Sequence, residues 1–301
     1  MNSEILKEKQ RAQAELVFAG VIWGFGFVAT IWALQDFSVM GYMVVRFLLA
    51  TLIGEFVRVF IFKQKFWNAQ DFRYALFAGF FMASFILPQS IGLLYTTASH
   101  SGFLTILYVI LVPLLSFHKK HSWSVYALAL FAFIGAALLM NVFDFQLNPG
   151  DLWTLLCAFG ASLHILYLGK IAHRAQNAFR LNNFQSFWCL VFSLPLISLD
   201  PHFSMMSIHW KPWLGVFSTV VGSTIIGFMI QIRAQKVLSE TTAAQFFLLE
   251  SPFALFFGFL ILNERITWIQ GAGALMILLS SFLTLKLENA QTRKKSGPLT
   301  T

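Results

Sequence analysis

TTAAQFFLLESPFALFFGFLI, residues 241–261, is long enough to cross a membrane, yet it keeps a carboxylate and a proline in its interior. A hydrocarbon core ~30 Å thick takes about 20 apolar residues as an α-helix, so the run predicts a transmembrane segment. Glu250 falls about eight residues, or ~12 Å, along that segment, where a charge costs roughly 2.5–3.5 kcal/mol. Pro252 has no N–H to give, so it frees the carbonyl of Leu248 and is expected to leave an unsatisfied acceptor nearby.

The rest of the chain repeats this pattern. Of 301 residues, 57% are hydrophobic and 11% charged, and the mean hydropathy is +0.70, far from the balance of a soluble domain. Apolar runs of spanning length or near it cover 16–34, 39–62, 73–95, 99–117, 123–140, 151–171, 182–199, 212–232, 242–262 and 268–286. The reading is an all-α integral membrane protein with ten transmembrane helices. The connections are too short for a soluble domain, and most runs lack the polar face that the outer helices of a soluble bundle need. The opening MNSEILKEKQRAQ has no cleavable-signal pattern, so the first span is expected to stay. Cys157 and Cys189 fall within spans, show no metal or disulfide spacing, and read as packing residues.

A net charge of +8 suggests anionic or nucleic-acid partners until its placement is read. Lys7, Lys9 and Arg11 precede the first span; Arg58, Lys63, Lys65 and Arg73 surround the second connection; Lys119 and Lys120 follow the fourth span. Lys170, Arg174 and Arg180 follow the sixth span, Arg233 and Lys236 the eighth, and Lys286, Arg293, Lys294 and Lys295 close the chain. Only Lys211, Arg265 and the intramembrane Arg46 fall elsewhere. By the positive-inside rule both termini are cytoplasmic, which requires an even span count. Topology explains the charge, and no nucleic-acid partner is expected.

Shifting the chain by 145 residues lays 96–140 on 241–285 without a gap, with Thr96, Thr97 and Ala98 on Thr241, Thr242 and Ala243, and Trp123 on Trp268. An internal repeat follows. Five spans per half is odd, so the second half crosses in the opposite sense, an inverted repeat of the kind secondary transporters use. The halves read as 15–143 and 150–286, separated by the polar turn DFQLNPG (144–150), with a basic cytoplasmic tail at 287–301. Thr267 with Gln270 reads as a capping box, Gly271 and Gly273 as sites of close helix contact, and Gly20 with Gly24 as a packing face. Phosphate loops, zinc spacings and nucleophile elbows are missing, so neither a cofactor nor an enzyme is expected.

Polar groups inside spans are few. Arg46 lies near enough to the outer end of the second span to snorkel to a headgroup, and headgroup or interhelix bonding stands beside a substrate role. Glu55 and Arg58 read as a local ion pair, and His164 with Tyr167 as a one-turn pair. Trp23, Phe27 and Thr30 form one stripe at helical spacing, and Ser101, Thr105 and Tyr108 another; aromatic rings with sparse hydroxyls suit a small-molecule pocket. Gln89, Gln231 and Gln245 carry amides that lipid would leave unpaired. Glu250 fits three roles: a protonated acid donating to a backbone carbonyl, a proton-exchange site, or a contact for an amino group of the solute. Its repeat partner is Thr105, not an acid, which favours function over scaffold. The expected solute path is Trp23, Gln89, Tyr108, His164, Gln231, Gln245 and Glu250, with Glu250 also the coupling residue.

Four stretches, WGFGFVA (23–29), RFLLA (46–50), QSIGLLYTTASHSGFLTILYVILVPLL (89–115) and FLLESPFALFFGFLILNERIT (247–267), resemble the EamA-type permeases of the drug/metabolite transporter superfamily. The resemblance implies ten helices in two inverted five-helix repeats around a central cavity. It implies a carrier of amino acids, metabolites or toxic compounds, often outward, in the cytoplasmic (inner) membrane. Glu250 and Pro252 take the family's Glu-x-Pro-like place and Glu264 the acidic position closing that helix, while His164 departs from the plainer residue expected in the sixth span. Expected partners are a small-molecule substrate, membrane lipid and a coupling proton. The second functional reading is uptake or exchange of a metabolite or nucleotide-like cofactor; an intramembrane enzyme would need Glu250 and His164 to meet.

Overall fold

The computed structural model describes residues 2–63, 67–96, 98–116, 122–139, 148–263 and 265–295; Lys65, Thr97, Lys119, Lys120, Glu264 and the 144–147 part of the central turn lie outside them. All described secondary structure is helical. The first part of the chain forms α1 (Asn2–Ala33), α2 (Val39–Phe56) running on into a π-helical turn (Val57–Ile61), α3 (Ala69–Gly92), α4 (Ala98–Ile106), α5 (Tyr108–Leu115) and α6 (Trp123–Leu139). The second forms α7 (Pro149–Ile171), α8 (Ala178–Ser193), α9 (Trp210–Phe217), a ten-residue π-helical stretch (Ser218–Gly227), α10 (Phe228–Ala234), α11 (Glu240–Phe247), α12 (Glu250–Leu262) and α13 (Trp268–Lys295).

Six helical stretches are long and apolar enough to cross a membrane: Glu4–Ala33, Ala69–Gly92, Pro149–Arg174, Trp210–Ala234, Glu240–Leu262 and Trp268–Ala290. Leu104–Leu115 and Trp123–Leu139 are shorter apolar helices. The second and seventh expected runs are not among them; α8 has only 16 residues and buries Asn182, Asn183, Gln185 and Ser186 in its first half.

Capping side chains set the starts. Ser38, Asn68, Asn177 and Ser239 each accept the N–H three residues on, and Asn148 with Asp151 forms a capping box that opens α7. Thr267 and Gln270 form the expected reciprocal pair at the start of α13. Two expected helices are interrupted. The fourth breaks at Leu107 and the ninth at Leu248–Leu249, so Tyr108 and Glu250 each stand as the first residue of a new helix. Pro252 sits in the first turn of α12, where a missing N–H costs nothing. The carbonyl of Leu248 is not orphaned as expected, because the Ser251 N–H donates to it at 3.1 Å across the break.

Helix α1 packs along α12, α9, α10 and the π-helical stretch, and α3 lies against α7 and α8. A Cβ at Gly24 would lie 2.5 Å from the Phe253 Cβ and 2.8 Å from both the Ala254 nitrogen and the Glu250 carbonyl oxygen, so glycine is what lets α1 reach the start of α12. Helices α6 and α13 are antiparallel: Gly135 abuts Gly273 and Met276, while the Leu128 carbonyl accepts the Ser280 hydroxyl at 2.9 Å. Gly271, expected to make a close contact, faces open space. Leu52, Phe60, Phe77, Phe80, Leu156, Phe259 and Leu260 are exposed, an apolar outer belt around a polar interior.

Candidate functional site

A cavity of about 90 Å³, widening to an empty volume of about 740 Å³ where it opens outward, lies among α1, α2, α3, α4, α5, α7, α10, α11, α12 and the π-helical stretch. Trp23, Gln89, Tyr108, His164, Gln231 and Glu250 all line it. Gln245 does not; its amide oxygen accepts the Ser280 hydroxyl at 3.1 Å, tying α11 to α13, because its place on α11 turns it away from the cavity.

The walls are aromatic. Trp23 stands edge-on to Phe247 at 5.3 Å and tilts against Phe228 at 5.6 Å, and Phe85 lies 5.3 Å from the His164 ring. The Trp23 indole donates to the Ser223 carbonyl at 3.3 Å. That carbonyl also accepts the Phe228 N–H, the i+5 bond of the π-helical stretch, so one oxygen serves both the helix and the indole. The Asn182 amide donates to two more carbonyls of the stretch, Thr224 at 2.9 Å and Ile225 at 3.1 Å. Sequence reasoning missed this stretch; its signal was STVVGSTIIG (218–227), dense in β-branched and small residues that disfavour a tight helix.

His164 does not pair with Tyr167, whose hydroxyl instead donates to the Tyr74 carbonyl at 3.2 Å. It is held between Gln185 at 3.3 Å and Gln231 at 3.5 Å. With the Gln231 amide donating to Nδ1, the imidazole donates from Nε2 to Gln185 as a neutral ring. The chain extends from Gln185 to Asn182 and from Gln231 through Gln235 to the Ile165 carbonyl, a buried polar network with its partners in place.

Tyr108 donates to a Glu250 carboxylate oxygen at 3.3 Å. This bond joins the two helix breaks, and Glu250 stands at the N-terminal, partially positive end of α12. The bond to a backbone carbonyl considered from sequence is not the one formed. Gln89 reaches Thr105 at 3.4 Å on the same wall. No hydrogen bond joins Glu250 to His164 among the described residues, so the pair an intramembrane enzyme would need is not assembled.

Arg46 also lines the cavity. It is 6% exposed; its Nε donates to Thr224 at 2.9 Å and an Nη to the Tyr42 hydroxyl at 3.0 Å. Interhelix bonding, rather than reach to a headgroup, is therefore what the structure gives it. Thr30 completes the cluster, 3.2 Å from the Tyr42 hydroxyl.

An "Uncharacterized transporter" from Archaeoglobus fulgidus is 31% identical over 280 residues, covering 89% of this chain and 84% of that protein. The model of the EamA-like transporter family matches residues 148–286. The chain belongs to the EamA-like transporter family. It is a multi-pass membrane protein and a membrane transporter of the drug/metabolite superfamily. A solved crystal structure shares this permease fold with a TM-score of 0.75 at 15% identity, covering 92% of this chain and 99% of that one.

Proposed function

We propose that this EamA-type permease is a secondary transporter that moves a small organic solute through the central cavity by alternating access, outward across the cytoplasmic (inner) membrane. Its ten spans form two inverted five-helix repeats, 15–143 and 150–286, with cytoplasmic termini and the tail at 287–301. The observation that carries the reading is the cavity itself, which draws its walls from α1, α2, α3, α4 and α5 of one half and α7, α10, α11 and α12 of the other. Support for the inverted repeat comes from the repeat-related Trp123 and Trp268, each exposed at the start of its helix, on α6 and α13, which pack antiparallel. Each half also contributes one broken helix, and the breaks meet at Tyr108 and Glu250. Rocking of the halves would reshape that contact, together with the Lys9–Glu288 and Arg233–Glu15 ion pairs at 2.7 and 3.0 Å.

In this reading Trp23, Gln89, Tyr108, His164, Gln231 and Glu250 contact the solute, and Glu250 exchanges the coupling proton. Gln245 supports α11 instead. The test is flux of a broad panel of amino acids, metabolites and toxic compounds in proteoliposomes of the pure protein, with and without a pH gradient. Movement of at least one solute, lost when Trp23 is replaced by Ala, is expected; an inert protein across the panel overturns the reading.

A further inference from the structure

Arg46 is a buried cation with no acid of its own. Its partners are neutral, the Thr224 and Tyr42 hydroxyls and the faces of Tyr42 and Phe47 at 5.7 and 5.5 Å, and it joins no ion pair among the described residues. Elsewhere in the protein the buried arginines are paired: Arg58 with Glu55, and Arg180 with Asp71 at 2.7 Å. A guanidinium stays charged at any pH a cell meets, so it cannot escape by losing a proton. Leaving such a group uncompensated in a low-dielectric interior is costly, and intramembrane charges are retained where they meet something that moves.

The local bonding prepares Arg46 for that meeting. The Thr224 hydroxyl donates to the Thr219 carbonyl at 2.9 Å, so its oxygen is an acceptor for the guanidinium. Tyr42 is likewise held by Thr30. Nε and one Nη are thereby fixed, the other Nη makes no hydrogen bond to a described residue, and Arg46 lines the cavity together with Thr30, Thr219 and Ser223. A planar fork with free N–H groups matches the two oxygens of a carboxylate or phosphate. The aromatic walls from Trp23, Phe85 and Phe228 provide contact area for an organic body.

We infer that Arg46 is an oxyanion subsite, and that the solute is an organic anion whose carboxylate or phosphate docks on its guanidinium while its apolar part lies against the aromatic walls. This rests on the transporter reading for the word solute, but the binding itself does not. The experiment compares phenylacetate, phenyl phosphate and the neutral phenylacetamide by calorimetry on the protein in a sugar-headgroup detergent, which carries no phosphate. At least one anion should bind about 10- to 100-fold tighter than the amide, the ratio a charge-assisted hydrogen-bonded pair supports. In Arg46→Gln that ratio should fall to near one.

Equal binding of anion and amide by the unmodified protein overturns the inference without any variant, so a poorly folding Arg46→Gln does not shelter it. So does a preference that survives Arg46→Gln. Added phosphatidylglycerol separates a lipid from a soluble anion: the inference requires that it fail to compete with phenylacetate, and competition overturns it. Flux of neutral solutes with no anion preference would sink the subsite and leave the transporter standing; Arg46-dependent anion binding with no flux of any solute would do the reverse.

Discussion

Replacing Gly24 by Ala sets two known effects against each other. Alanine favours a helix over glycine by about 1 kcal/mol. The new Cβ, however, would sit 2.5 Å from the Phe253 Cβ and 2.8 Å from the Ala254 nitrogen and Glu250 carbonyl oxygen. Carbon contacts are comfortable at about 3.5–4.0 Å, so α1 and α12 must separate by roughly 1 Å. Two of the three obstructing atoms are backbone and cannot swing aside, which places the overpacking cost near the upper part of its usual range, about 3 kcal/mol. The net is a loss of about 2 kcal/mol. Gly271→Ala is the matched control, because nothing lies within 4 Å of its Cβ and only the propensity gain remains. The two variants should therefore melt on the order of 5–10 °C apart in the same detergent, Gly24→Ala lower than the parent and Gly271→Ala level with it or higher. Transport should fall only in Gly24→Ala, since the displaced turn carries Glu250. A Gly24→Ala protein that melts with Gly271→Ala would refute the claim that this close approach positions the acid.

Glu250→Gln should fold with an unchanged melting temperature and alter the pH profile of proteoliposome transport; an identical profile would remove Glu250 from coupling. Tyr108→Phe deletes only the hydroxyl that donates to Glu250, and should shift that profile in the parent but not in Glu250→Gln. Asn182→Ala loses both bonds to the π-helical carbonyls and strands the Gln185 amide, so thermal unfolding should show a loss of about 2 kcal/mol, and no loss would mean the π-helix holds without Asn182. In the loop after α1, the Ser207 hydroxyl and then His209 hold the Asp36 carboxyl below its ordinary 3.8. A depressed carboxyl stabilises the fold above that value and loses its contribution as the pH drops through the lower, folded one. Asp36→Asn should therefore melt below the parent at neutral pH and converge with it in acid, and a gap that widens in acid would contradict the sign.

What was legible in the sequence is what local physics dictates. Span lengths follow from hydropathy, and caps such as Asn148 with Asp151 follow from side chains that satisfy the first N–H groups of a helix. Six of seven expected path residues line one cavity because intramembrane amides, rings and acids have few places to go. The failures need neighbours to explain them. Gln245 is as polar as Gln231, but Ser280, 35 residues away, offers it a partner on the far side of α11. The break at Leu107 has no proline at its position, and the π-helical stretch is bound by Asn182 from another helix, so neither could be placed from its own residues alone.

Arg46 is the instructive case, because its sequence neighbourhood allowed headgroup or interhelix bonding as readily as a substrate role. Depth alone did not separate them, since a side chain that long can reach either way. Partner chemistry does. A headgroup-seeking arginine would be open to the lipid edge, and a structural one would be expected to carry a carboxylate as Arg58 and Arg180 do. Arg46 is buried and hydrogen-bonded only to hydroxyls, which orient a guanidinium without neutralising it. Glu250, across the same cavity lining, takes its hydrogen bond from Tyr108 rather than from that arginine. A guanidinium and an acid that line one cavity without pairing leave the arginine uncompensated when the cavity is empty, and a transporter gains from this, because the charge is answered only when something mobile arrives.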